Sequence, residues 1–171
     1  MIEVLRLGHR LGRDARISTH CGLVARAFGA GGIVYSGDRD RKMMDSVRSV
    51  TREWGGPFSV RHGSFRSTIK NFRGTKVHLT MYGLPMEKKI REIRKKRNLL
   101  VIVGGEKVPG ELYEKADYNI SVTSQPHSEI AALGVFLHEY LRGRPKKRFK
   151  HARLKIIPKE RGKYVKANSS D

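Results

Sequence analysis

Leu99-Leu100-Val101-Ile102-Val103-Gly104-Gly105-Glu106-Lys107-Val108-Pro109-Gly110 is the stretch that decides the fold. Five consecutive apolar residues, several of them branched, read as a strand buried on both faces of a parallel sheet. The run stops at paired glycines, followed by a carboxylate, a proline and a third glycine. Ligands of open α/β sheets sit beyond the carboxyl ends of strands, and glycine there lets a ligand approach the backbone. A second apolar strand, Tyr118-Asn119-Ile120-Ser121-Val122, runs into the small polar loop Thr123-Ser124-Gln125-Pro126-His127-Ser128-Glu129. Two adjacent strand ends opening into such loops make one pocket, and a pocket of that kind points to an enzyme.

Working outward, strand and helix signals alternate from the first residue. Residues 2–7 read as a strand, residues 8–17 as a loop rich in glycine and arginine, and Ser18 or Thr19 as the cap of a short helix through Phe28, with Gly29 just past its end. Residues 32–36 form the next strand. Asp38 and Asp40 favour a helix start, and Met43, Met44, Val47, Val50 and Trp54 recur behind them at the spacing of a core-facing stripe. Residues 76–82 set Val77, Leu79 and Met81 against Lys76, His78 and Thr80, the alternation of a half-buried strand. Residues 86–97 make a very basic helix. Residues 128–141 form a helix that is apolar nearly all round, which in so small a domain is most easily buried if one side meets a second subunit. The sum is an α/β fold: a six-stranded, mostly parallel sheet with helices on both faces. It occupies residues 1–142. Residues 143–171 form a basic C-terminal extension in which 152–158 and 162–167 can pair as a hairpin about Lys159-Glu160-Arg161.

The 171 residues carry a net charge of +20, from 36 Lys and Arg against 16 Asp and Glu. Nucleic acid is the partner such an excess suits, because each phosphate neutralised releases a counterion. A solvated, heat-adapted surface is the plainer reading, but heat adaptation adds charges of both signs. Nothing is long and apolar enough to span a membrane, and the amino terminus is too short and charged for a signal peptide. The lone Cys21 fits a reducing cytoplasm. The seven histidines show no metal-ligand spacing. Residues 104–110 lack both the dinucleotide fingerprint and the P-loop pattern, so taken alone they read equally as a strand-to-helix turn. Ser124 or Ser128 reads equally as a helix cap, with Glu129 at the helix's electropositive end. Between the first strand and helix stand Arg6, Arg10, Arg13 and Arg16, whose forked guanidinium groups match phosphate oxygens.

Several blocks together resemble the SPOUT superfamily of RNA methyltransferases. They are Arg6-Leu7-Gly8-His9-Arg10, Arg13-Asp14-Ala15-Arg16-Ile17-Ser18-Thr19-His20, Ala25-Arg26-Ala27-Phe28-Gly29-Ala30, residues 104–109 and residues 123–129. The likeness is strongest to the archaeal branch that methylates the ribose 2′-oxygen of cytidine 56 in the T-loop of tRNA. Broader relatives carry Ser-Leu-Asn near Ser128-Glu129-Ile130. The resemblance implies a homodimer and a C-terminal trefoil knot, a threading that pattern rules alone would reject. It further implies S-adenosyl-L-methionine bound by Gly104, Gly105, Glu106, Lys107 and Val108 and by Val122, Thr123, Ser124, Gln125, Pro126, His127, Ser128 and Glu129. Leu79, Met81 and Tyr82 would complete the adenine pocket.

By that resemblance an arginine of the first block stands near the target ribose. Arg16 is the first candidate by position, with Arg10 and Arg13 behind it, and Ser128 as a hydrogen-bonding partner of cofactor or arginine. Guanidinium stays protonated at any working pH, so phosphate grip and oxyanion stabilisation suit it better than proton removal. Two other readings stay open: a ribosome-associated RNA-binding protein whose glycine loops are only turns, and a sister RNA methyltransferase with a different target.

Overall fold

The computed structural model describes residues 1–105, 107–145 and 149–168. Glu106 and the basic residues 146–148 lie outside the described residues. The apolar run at 99–103 becomes strand β5 (Leu99–Val103), with every residue buried. Around it stand β1 (Ile2–His9), β2 (Gly32–Gly37), β3 (Ser59–His62), β4 (Thr75–Pro85) and β6 (Tyr118–Ser121). The strands line up in the order β3-β2-β1-β5-β4-β6. Every pairing is parallel.

Two apolar clusters cover the two faces. On one, Val4, Val101, Val77 and Leu79 meet Cys21 and Ala25 of α1 (Ala15–Ala27), Met43, Met44 and Val47 of α2 (Arg41–Trp54), Ile90 and Ile93 of α4 (Met86–Ile93), and Leu133, Phe136 and Leu137 of α6 (Glu129–Tyr140). On the other, Leu5, Leu100 and Ile102 meet Ile69 of α3 (Phe65–Asn71) and Leu112 of α5 (Glu111–Lys115). Full burial of each such side chain contributes about 1.5–3 kcal/mol, so both faces hold the central strands. Asp40 starts α2 as expected, its Oδ1 accepting the Met43 N–H at 2.9 Å. Among the described residues no helix is long and apolar enough to cross a membrane.

Three expectations need correction. Helix α1 begins at Ala15, not at Ser18 or Thr19. Residues 10–14 are already a hydrogen-bonded turn, because Arg10 accepts from the Asp14 N–H at 3.0 Å and its own N–H and guanidinium bind the Asp14 carboxylate. Ser18 is a buried helix residue whose hydroxyl meets His9 Nδ1 at 2.8 Å. Strand β4 is not half-buried at its middle: His78 is as inaccessible as Val77. The ring of Tyr113, from α5, stands edge-on against it. Strands β5 and β6 are not adjacent, because β4 stands between them. Within one chain, Ala131, Val135 and His138 form an exposed line along α6.

After α6 the chain turns back to the carboxyl end of α2. Lys150 pairs with Gly56 through two backbone bonds of 2.9 and 3.0 Å, and Arg26 lies over the Phe149 ring at 4.7 Å. Gly55 has φ 83°, and a Cβ there would meet the Lys150 carbonyl at 2.6 Å, so this close crossing needs glycine. Strands β7 (Leu154–Ile156) and β8 (Val165–Ala167) then pair antiparallel, apart from the main sheet.

Candidate functional site

Parallel strands put their carboxyl ends on one edge, and there β1, β4 and β5 surround a cavity of about 800 Å³. That is within the usual range for small-molecule sites. The β4–β6 ladder breaks between Leu79 and Leu84, so residues 80–83 loop out of the sheet at this edge. Leu79, Met81 and Tyr82 line the cavity from β4, and Gly104, Gly105, Lys107 and Val108 from the turn after β5. Pro126, His127 and Glu129 line it from the approach to α6, and Arg10 and Arg13 from the turn before α1. The turn after β5 folds tightly because residue 104 is glycine: a Cβ would meet Val108 Cγ2 at 2.8 Å and Leu7 Cδ1 at 3.2 Å.

Other site candidates lie beside the cavity lining rather than in it. Arg16 is exposed on the first turn of α1. Ser128 caps α6, its hydroxyl accepting the Ile130 N–H at 3.1 Å. Thr123, Ser124 and Gln125 form an exposed loop in which the Gln125 N–H reaches Thr123 Oγ1 at 3.3 Å. Val122 packs against the core. Glu106 lies outside the described residues.

Charge at the cavity is arranged in pairs. Arg10 grips Asp14 with Nε to Oδ2 at 2.8 Å and Nη2 to Oδ1 at 3.1 Å. The Arg10 hydrogen bond holds the Asp14 carboxyl below its ordinary pKa despite its burial. Arg6 is 2% exposed on β1, and its Nη2 meets Glu129 Oε1 at 3.1 Å. The pair ties β1 to the start of α6. Nearby, burial pushes the Cys21 thiol up to about 12, so it is no nucleophile at neutral pH. His9 stands between Ser18 Oγ at 2.8 Å and Asp40 Oδ2 at 3.5 Å. This arrangement superficially matches a hydrolase triad. Ser18 is fully buried and outside the cavity lining, so the three tie β1, α1 and α2 together instead.

Sequence reading named Arg6 only as one of four phosphate-matching arginines and did not single out His78, Thr80 or Tyr113, though all four line the cavity. A charged residue amid the apolar run of β1 was the available signal for Arg6. For His78 there was none, because its alternation with Val77 and Leu79 looked like a solvent face. Among the described residues no group of three His, Cys, Asp or Glu side chains could hold a metal ion.

Residues 54–166 match the family described as tRNA ribose 2′-O-methyltransferase, aTrm56. The tRNA (cytidine(56)-2′-O)-methyltransferase of Pyrococcus abyssi is 55% identical over 172 residues, covering 96% of this chain and 87% of that protein. Its counterpart from Archaeoglobus fulgidus is 52% identical over 164 residues, covering 96% and 97%. The SpoU methyltransferase AviRb from Streptomyces viridochromogenes, solved in complex with the cofactor AdoMet, shares the fold with a TM-score of 0.62 at 17% identity. The match covers 83% of this chain and 57% of that one. With about half of its residues shared over nearly its whole length, the chain belongs to the aTrm56 family of tRNA ribose 2′-O-methyltransferases.

Proposed function

We propose that this protein methylates the ribose 2′-oxygen of cytidine 56 in tRNA, using S-adenosyl-L-methionine bound in the cavity at the carboxyl edge of the sheet. One observation carries the reading: in a chain half identical to cytidine-56 methyltransferases, the cavity joins apolar walls to a rim of arginines. Leu79, Met81 and Val108 suit a purine, and Gly104 and Gly105 let a ligand lie against backbone. When bound, the cofactor supplies a methyl group on a sulfonium centre that departs as a neutral thioether. The protein's part is to hold the ribose hydroxyl in line with that methyl, where alignment alone is worth several kcal/mol. Arg10, Arg13 and Arg16 grip the RNA phosphates and stabilise negative charge developing on the 2′-oxygen. Arg16 is assigned to the reacting nucleotide by its position in the first sequence block, Arg10 being already engaged by Asp14.

The remaining features follow the same reading. The exposed line Ala131, Val135 and His138 on α6 is the homodimer face. A C-terminal trefoil knot accounts for a chain that leaves β6, outside β4, and returns across β4 and β5 to pack α6 on α1. Residues 143–171 act as a separate basic extension that helps bind the tRNA elbow, and the enzyme works in the cytoplasm. Incubation with unmodified tRNA and methyl-labelled cofactor tests the function. Label confined to the 2′-oxygen of cytidine 56 is expected, whereas label elsewhere, or none, refutes it. Arg16→Ala is expected to lower turnover of bound tRNA by more than tenfold. A change within a few-fold removes Arg16 from the reaction.

A further inference from the structure

The middle of β4 holds a histidine that the function so far does not use. His78 is fully buried, yet it lines the cavity. Its tautomer is fixed by its neighbours. The Asn119 amide donates through Nδ2 to the Tyr113 carbonyl at 2.8 Å, which turns Oδ1 toward the imidazole. Oδ1 stands 2.9 Å from His78 Nδ1, and an amide oxygen can only accept, so Nδ1 carries the ring hydrogen. Nε2 is therefore a bare acceptor. Burial also pushes the imidazole below its ordinary pKa, outweighing the opposing Asn119 bond, so the ring is neutral at physiological pH.

Among the described residues nothing pairs with Nε2, and solvent does not reach it. The ring cannot easily turn to remedy this. Tyr113 packs edge-on with centroids 4.9 Å apart, and Asn119 holds the other nitrogen. Buried acceptors are normally satisfied, and one held rigidly beside a ligand-sized cavity calls for a donor from that cavity. On the functional reading above, the group that penetrates to this depth is the nucleoside of the cofactor, while the RNA meets the exposed arginines.

We infer that His78 is a specificity-determining residue of the cofactor site, its bare Nε2 accepting a hydrogen bond from an N–H or O–H of the adenosyl group. Ligand entry has to part the side chains that cover Nε2. Asn119 and Tyr113 are positioning residues that hold the ring in this tautomer. The inference rests on the proposed function, but it fails separately from it.

Calorimetric titration with S-adenosylhomocysteine and donor-deleted analogues tests it. The analogues replace by hydrogen either the exocyclic amine or one ribose hydroxyl, so they leave the protein's fold untouched. The parent is expected to bind one analogue at least fivefold more weakly than S-adenosylhomocysteine. His78→Phe keeps the ring packing but lacks the acceptor, and it should bind that analogue and S-adenosylhomocysteine equally. If the parent binds all analogues alike, or the loss persists unchanged in His78→Phe, the inference is overturned. Should His78→Phe not fold, His78→Leu serves in its place, because it too lacks the acceptor. Unaltered S-adenosylhomocysteine affinity with reduced turnover on tRNA would overturn it too, moving the acceptor to the RNA nucleotide. A parent that binds no S-adenosylhomocysteine would instead overturn the functional reading itself.

Discussion

The cavity edge and the C-terminal hairpin are both rich in cations, yet they treat charge in opposite ways. At the cavity, Arg6 is 2% exposed, and Arg6 and Arg10 each have a carboxylate partner at hydrogen-bond distance. In the hairpin, Lys155, Lys159, Lys163 and Lys166 are exposed, Lys159 with its Nζ over the Tyr164 ring at 5.7 Å. Buried charge must be matched one group at a time, because an unpaired ion in a low-dielectric interior is expensive. Exposed charge acts collectively and over distance, and any one member is replaceable. The first arrangement suits placing a reacting atom; the second suits attracting a polyanion.

The largest effect expected from this contrast is at Arg6. Arg6→Met leaves the Glu129 carboxylate without its partner, and urea unfolding should show a loss of about 3–5 kcal/mol. Adding Glu129→Gln should restore much of it. A loss below about 1 kcal/mol for Arg6→Met would erase the distinction between the two regions.

Acid provides a second handle. His78 has a folded pKa below its ordinary 6.5. The unfolded chain therefore takes up a proton that the folded chain refuses, and stability present above pH 6.5 is lost as pH falls toward the folded value. Asp14, with its folded pKa below the ordinary 3.8, loses its contribution in the same sense as pH drops through and below that value. Unfolding measured across pH should show a first decline below about 6.5, which His78→Phe removes, and a second below about 4, which Asp14→Asn removes. A profile flat between pH 7 and 5 in the parent would contradict the buried neutral ring.

The smallest effect on stability is expected in the hairpin. Lys155→Gln combined with Lys166→Gln should leave unfolding within about 0.5 kcal/mol of the parent. The same change should weaken tRNA binding and flatten its dependence on log salt, by about 0.7–0.9 for each phosphate no longer neutralised. An unchanged salt slope would take the hairpin out of the RNA-binding surface.

Much of this architecture could be read from local pattern. Leu99 to Val103 declared a doubly buried strand because five apolar side chains in a row leave no solvent face, and Asp40 declared a helix start through its carboxylate. What escaped was polar burial. Alternation assigns His78 to a wet face, and only the packing of Tyr113 of α5 against it, from more than thirty residues downstream in sequence, buries it. Arg6 likewise depends on Glu129, a partner no local window contains. The start of α1 was misplaced for a related reason: Ser18 looks like a cap, but its hydroxyl is committed to His9 across the fold. The cavity loops at 104–108 and 126–129 were legible from glycine and proline. Which of their neighbours would face the cavity was not.

The cofactor's place in this cavity can be tested most directly at Gly105. A Cβ there would meet only Arg6 Nη2, at an ordinary 3.9 Å, so the backbone at this position accepts a Cβ without a clash. The measurement is titration of the parent and Gly105→Val with S-adenosylhomocysteine, with thermal unfolding as the check on folding. Saturable binding to the parent, weakened at least tenfold in a variant that unfolds at the parent's temperature, is the expected result. Equal affinity in the two folded proteins would contradict it, since the ligand would then lie somewhere other than between the strand ends.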